Sequence, residues 1–505
     1  MSTSELILRE SARGGDREPG HVIRPRGPAC LRIRAMQRNV LIPLIVACSL
    51  FMENMDSTVI ATSLPAIALD IGESPLALKL ALTSYLVGLA VFIPISGWVA
   101  DRLGSRTVFA SAIVVFVAGS LLCAVSSTLP AFVAARFLQG IGGAMMVPVG
   151  RLVLLRAVPK NELVAALNYL TIPALLGPVT GPALGGAITL YFHWRWIFLI
   201  NLPIGVLGLY LVLRHIPNVK EPELPALDLA GFALSGVGLS VLMLGLSSLG
   251  GHLLPGKITA ACIILGALAL AAYPWHARRV AHPVIDLALL RLPTFRTGVV
   301  AGSLFRIGVG ATPFLLPLLL QLGFGMNPLQ SGLLTCATAV GAMFMKTLTT
   351  IILRRFGFRT VLTVNALVAS AGVGVFGLFT AATPHLVIFL VLLASGCVRS
   401  LQFTALQAIS FAEVTRETMS QASSIASMAQ RLAQSLGVAL GAYALQLASL
   451  AQGHADVVSA DFAPAFFAVA LLSAVSLFFH AALPADAGAE VSGHGKGRER
   501  PAGRL

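Results

Sequence analysis

Apolar residues fall in runs of about twenty, broken by Gly, Pro and clusters of charge, and each run is long enough to cross roughly 30 Å of hydrocarbon as a helix. The runs place spans at 40–63, 76–99, 107–127, 131–154, 163–188, 196–213, 229–249, 257–275, 297–321, 330–352, 360–381, 385–408, 421–449 and 462–483. The pattern predicts an all-α polytopic membrane protein with fourteen crossings. An even number of crossings puts both termini on one side.

Composition agrees with the pattern. The 505-residue chain is 56% hydrophobic and 11% charged, where a soluble chain carries roughly a quarter charged residues. A water-soluble fold is excluded. The formal charge of +14 describes topology rather than a nucleic-acid surface. It gathers in the first 38 residues and in alternate connections, which hold Arg102 and Arg106, Arg151, Arg156 and Lys160, Arg214 and Lys220, Arg278, Arg279, Arg291 and Arg296, Arg354, Arg355 and Arg359, and Arg416. The opposite connections offer Lys79, Arg195 and Lys257. Positive charge stays inside, so both tails are expected to be cytoplasmic, in a bacterial inner membrane. Residues 1–38 lack an apolar core of signal-peptide length and read as a cytoplasmic tail.

The organisation expected is a basic tail at 1–38, a six-helix bundle at 39–214, two additional helices at 215–275, an amphipathic basic helix along the cytoplasmic surface at 276–296, a second six-helix bundle at 297–483 and a disordered cytoplasmic tail at 484–505. Two echoes suggest related halves: Asp-Arg-Leu-Gly-Ser-Arg at 101–106 with Arg-Arg-Phe-Gly-Phe-Arg at 354–359, and Arg136-Phe-Leu-Gln139 with Arg399-Ser-Leu-Gln402. Repeated bundles with a site between them suit alternating access.

Ionisable residues inside the spans are the candidates for chemistry, because charge in hydrocarbon is expensive. Glu53 and Asp56 lie three residues apart in the first span, hence on one helix face. Two carboxylates this close in low dielectric do not both ionise cheaply, so at least one is expected to hold a proton near neutrality, as a reversible proton carrier must. The alternative is a permanent cap or ion pair. Between the second and third spans, Gly97, Asp101, Arg102, Gly104 and Arg106 make a tight turn. Asp101 there suits a latch formed in one conformation only; the plainer reading is an ordinary basic turn. Arg136 and Gln139 share a face of the fourth span, where a permanent cation must meet water or an acid. It serves either to tune the first-span carboxylates or as a static salt bridge. Gly177, Gly181, Pro182, Gly185 and Gly186 in the fifth span permit close helix packing with a kink, for a rocking interface or equally for a fixed one. In the second half, Arg306, Arg399 and Gln402 are candidates for a substrate cavity, and Lys346 either joins them or snorkels to the surface.

The six cysteines and ten histidines are scattered without ligand spacing, so no metal site is expected. Gly251 to Lys257 imitates a phosphate-binding loop, but Ile258 stands where Ser or Thr would be needed and no strand precedes it.

Taken in order, Asp56-Ser-Thr-Val59 with Leu64-Pro65, the 97–106 turn, Arg136-Phe-Leu-Gln-Gly140 and the glycine motif at 177–186 resemble the motifs of the major facilitator superfamily, the last being typical of antiporters. His193-Trp-Arg-Trp-Ile-Phe198 with Asn201 and Pro203 resembles the fourteen-helix EmrB/QacA-type drug:proton antiporters, and the likeness runs over roughly residues 40–483. The resemblance implies export of amphipathic, often cationic compounds driven by the proton gradient, with no cofactor. It implies that Asp56 and Arg136 take part in proton coupling, and it allows a periplasmic adaptor and an outer-membrane channel as partners beside protons, lipid and the small molecule. Two positions depart from it: Ala61 stands where Asn is usual, and Arg354 replaces the acid of the second-half turn. The alternative is a proton symporter for a nutrient or organic anion on the same fold, which Arg306 and Arg399 would suit. No nucleophile with its base is apparent, so an enzyme is not expected.

Overall fold

The computed structural model describes residues 28–158, 163–221, 224–249, 254–415, 418–454, 456–484, 486–492 and 494. They are helical throughout, with no strand among them. We number the long helices α1 Val40–Ile71, α2 Lys79–Leu103, α3 Ser105–Val125, α4 Leu129–Ala157 and α5 Leu163–Tyr191. Then follow α6 Trp196–His215, α7 Leu229–Ser248, α8 Gly256–Ala277, α9 Pro293–Gly323, α10 Pro328–Phe376 and α11 His385–Ser410. The last two are α12 Met419–Gln452 and α13 Ser459–Ala481.

Eleven of these are long and apolar enough to cross a membrane by length and composition. α5 and α12, with 29 and 34 residues, are also long enough to span it. α10 is 49 residues long and breaks at Gly357, whose φ of 73° and ψ of 165° no helix contains. Only glycine adopts that conformation readily, so α10 is two helices joined at a kink, an arrangement compatible with fourteen spans. The sequence placed this break between its tenth and eleventh spans, and the structure turns there with no loop.

Local chemistry sets the ends. Gly72 and Gly453 close α1 and α12 in the left-handed conformation, with φ of 75° and 74°. Asn327 and Gln330 form a reciprocal capping box that starts α10. Asp228 caps α7 by accepting from the Gly231 amide at 2.8 Å and meets His276 of α8 at 2.8 Å. Burial opposes its charge, but those two donors hold its carboxyl below the usual carboxylate range.

The first six helices pack as one bundle, with α1 against α5 and α2 and α3 against α4, while α9 to α13 form the other, with α10 against α11 and α9 against α12. The two bundles meet along α5 with α10 and α2 with α12. α7 and α8 pair with each other and touch the bundles through α2 and α12. Their outer faces, including Val237, Ile264, Leu265 and Leu268, are exposed, as helices facing lipid should be.

Two expectations are corrected. The connection at 276–296 is not a continuous surface helix: α8 ends at Ala277, and only Leu287–Arg291 is helical, as a 3-10 turn. Pro283 and Pro293 interrupt it, and Asp286 caps the short turn on Ala288 at 2.9 Å. The tail after Pro484 is not without structure where it is described. Ala489–Ser492 is helical, and His494 Nδ1 lies 3.0 Å from the Arg354 carbonyl. Lys160, Arg416 and most of the basic N-terminal tail lie outside the described residues.

Candidate functional site

Asp56 sits halfway along α1, wholly buried, and four helices converge on it. Arg136 of α4 donates to Asp56 Oδ2 at 2.7 Å. Gln139, one turn on, donates to Oδ1 at 2.9 Å, and Asn201 of α6 donates to the same oxygen at 2.8 Å. Ser120 of α3 accepts from Gln139 at 2.7 Å and from Asn201 at 3.1 Å. Gly119, beside it, lets α3 approach the backbone of Gln139, which a Cβ would meet at 2.8 Å. The Arg136 guanidinium also lies over the faces of two rings, with centroids at 4.5 Å for Tyr85 and 5.7 Å for Phe198. The i,i+3 pair on α4 thus faces the first-span acid, as its spacing requires. Three donors on one carboxylate make Asp56 a well-compensated anion.

Glu53 is differently placed. One oxygen accepts from Tyr85 at 3.3 Å and from Arg431 of α12 at 3.2 Å, both long, while the other, also buried, has no partner. A buried carboxylate oxygen without a donor is the natural seat of a proton. The Arg431 contact joins α1 of one bundle to α12 of the other.

Arg431 and Tyr85 were not among the candidates read from the sequence. Arg431 is the lone charged residue within 421–449, the same signal that singled out Arg306. Tyr85 and Ser120 carry no such signal, because a hydroxyl on a membrane helix is ordinary.

A cavity of about 500 Å³ lies between the bundles. Arg136, Arg306, Lys346, Arg399 and Arg431 line it together with apolar and neutral polar side chains, Gln407, Gln430 and Gln434 among them, and no acid does among the described residues. Arg306 stacks toward Phe403 at 5.1 Å, and its buried Nε is unpartnered. Gln402 does not belong to this cavity. It is wholly buried between α10 and α11, accepting from Asn365 at 2.9 Å and donating to the Leu362 carbonyl at 3.1 Å, while Arg399, Ser400 and Phe403 on the adjoining face line the wall.

The two bundles are in contact at the end that carries Trp194. There Gly177, Gly181 and Gly185 let α5 lie directly on Met55, Thr58 and Val59 of α1. Pro182 and Gly186 of the same motif meet Gly332 and Pro328 of α10, and Gln321 of α9 donates to the Thr62 carbonyl at 2.9 Å. At the opposite end Asp101 accepts from Arg156 of α4 at 2.8 Å, and Arg156 also reaches Glu221 at 2.7 Å. Gly104 stands at φ 99°, which strains any other residue, and a Cβ there would displace the Asn218 side chain. Asp101 makes no bond to the second bundle among the described residues. Arg102 and Arg106 project from this turn without an ion pair among them, and the space beside Gly97 is open.

Sequence comparison gives the lineage. The "Putative multidrug resistance protein MdtD" of Klebsiella pneumoniae (strain 342) is 38% identical over 88% of this chain and 94% of its own length. The protein of the same description from Escherichia coli (strain 55989 / EAEC) is 37% identical over the same shares. Among solved structures, a POT family transporter in complex with a thioalcohol-conjugated peptide superposes with a TM-score of 0.65 at 15% identity, covering 88% of this chain and 95% of that one. The Major Facilitator Superfamily profile matches residues 46–275 and 298–503. The chain is a transporter of the major facilitator superfamily, not an enzyme.

Proposed function

We propose that the protein is a proton-coupled antiporter that exports amphipathic small molecules across a bacterial inner membrane by alternating access, with both termini cytoplasmic. The observation that carries this reading is the Glu53–Arg431 contact: a half-satisfied buried carboxylate tied across the two bundles to a cation that lines the cavity between them. Tyr85 and Arg431 are the groups in contact with Glu53, and Asp56 lies one turn away on the same helix. A proton arriving on Glu53 removes its hold on Arg431 and frees the bundles to rock, while Asp56 with Arg136, Gln139 and Asn201 keeps the neighbouring charge fixed. The basic connections at the Asp101 end support a cytoplasmic placement of that end. The closed Trp194 end is then periplasmic, and the conformation faces inward. The Asp101–Arg156–Glu221 chain would be the resting form of the latch. The relatives described as multidrug resistance proteins support export of drug-like compounds. An adaptor and an outer-membrane channel rest on resemblance alone.

The second reading, proton symport of an organic anion, is favoured by the three cavity cations without an acid. Substrate-induced proton movement in proteoliposomes under an imposed pH gradient separates the two, with a panel of lipophilic cations and organic anions. Antiport predicts protons moving against the substrate, and loss of the signal in Glu53→Gln and Asp56→Asn. Protons moving with the substrate would replace it with symport.

A further inference from the structure

Charge in a membrane cavity must be compensated by something, and here the protein does not supply it. Of the five cations on the wall, Arg136 is paired with Asp56 and Arg431 with Glu53. Arg306, Lys346 and Arg399 have no acid partner among the described residues, and every carboxylate stands off the cavity surface. Arg306 is 8% exposed, and its buried Nε donates to nothing. A guanidinium that stays ionised, lines a cavity and has no acid beside it is a strong reason for an anion to enter.

The same three residues come from α9, α10 and α11, all in the second bundle, so they form one side of the cavity. The facing wall carries Leu82, Tyr85 and Leu86 of α2 with Pro178 of α5, an apolar and aromatic surface, beside the hydroxyls of Ser57 and Thr58 and the Asp56-paired Arg136. Phe403 beside Arg306 adds a ring to the charged side.

We propose that this cavity binds an organic anion with at least two negative groups and an apolar or aromatic body. Its charges sit on Arg306, Arg399 and Lys346, and its body lies against the α2–α5 wall. Lipophilic cations are disfavoured, because they would enter a cavity of uncompensated positive charge. The energetics of export agree: moving such an anion outward while protons move inward carries positive charge inward on both counts, so an inside-negative potential drives each part of the cycle. This inference rests on the cavity being the transport site, and it deepens the proposed function by naming the class of substrate.

The test is direct binding to the full chain in nanodiscs, with naphthalene dicarboxylate and tetraphenylphosphonium as probes of similar bulk and opposite charge. Binding does not depend on proton flux, so this test can fail while coupled transport stands, and the reverse. The dicarboxylate should bind at least about tenfold more tightly than the phosphonium. Arg306→Gln and Arg399→Gln should each weaken the dicarboxylate by about tenfold or more, the scale of one charged hydrogen bond, while Arg399→Lys retains much of the affinity. Arg306→Glu should turn the preference toward the phosphonium, a gain that a misfolded variant would not show. Tighter binding of the phosphonium to the unmodified chain, or dicarboxylate affinity unchanged in both glutamine variants, would overturn the proposal.

Discussion

Asp56 and Glu53 show how little chemical identity says about role. Both are wholly buried carboxylates on one face of α1, yet Asp56 accepts from three side chains and Glu53 is held by two long contacts on a single oxygen. The difference comes from what the neighbouring helices present. Removing one member of a buried pair strands the other's charge, at a cost of roughly 3–5 kcal/mol, whereas removing both is far cheaper. Asp56→Ala should therefore lower thermal stability more than Asp56→Ala with Arg136→Met together, and unfolding of the two variants in detergent measures this. Equal loss in both would mean that Arg136 finds compensation elsewhere. The acid, the arginine and Gln139 were legible in the sequence because charge in a membrane helix stands out and because i,i+3 spacing fixes the face. The partners were not. Ser120 and Asn201 join only because α3 and α6 close on α4, a fact of packing between segments far apart in sequence, and Arg431 reaches Glu53 across 378 residues.

At the level of elements, hydropathy placed the spans well because hydrocarbon thickness sets helix length. It failed where the chain leaves the bilayer: a basic, amphipathic stretch at 276–296 looks helical by pattern, yet two prolines and an Asp cap shorten it to one turn. By its spacing alone the glycine motif of α5 permits either a fixed or a moving interface. The structure gives it two faces, with Gly177, Gly181 and Gly185 against α1 inside one bundle and Gly186 against α10 of the other. Only the second face has to separate if the Trp194 end opens. Gly186→Val would push its side chain into the Pro328 carbonyl, so it should disfavour the closed Trp194 end without disturbing the α1–α5 seam. Thiol labelling from the Trp194 side, at a cysteine introduced in the cavity, should rise several-fold in that variant. No change would mean that the contact bears no part of the closure.

Across the whole molecule, two bundles touch along α5–α10 and α2–α12, sealed at one end by backbone against backbone and joined near the middle by one long ion pair. A seal of small residues and carbonyls is rigid and insensitive to pH. The Glu53–Arg431 contact is not, since a single proton abolishes the carboxylate that makes it. On the proposed mechanism this proton shifts the balance between the two bundle arrangements. The most direct measurement is the distance between spin labels at Leu69 and Leu386, exposed positions on the two bundles at the Trp194 end, in a cysteine-free background. The distance should lengthen from alkaline to mildly acidic buffer in the otherwise unmodified chain and stay long at both in Glu53→Gln. A distance that follows pH equally in Glu53→Gln, or that never changes in either chain, would contradict the account.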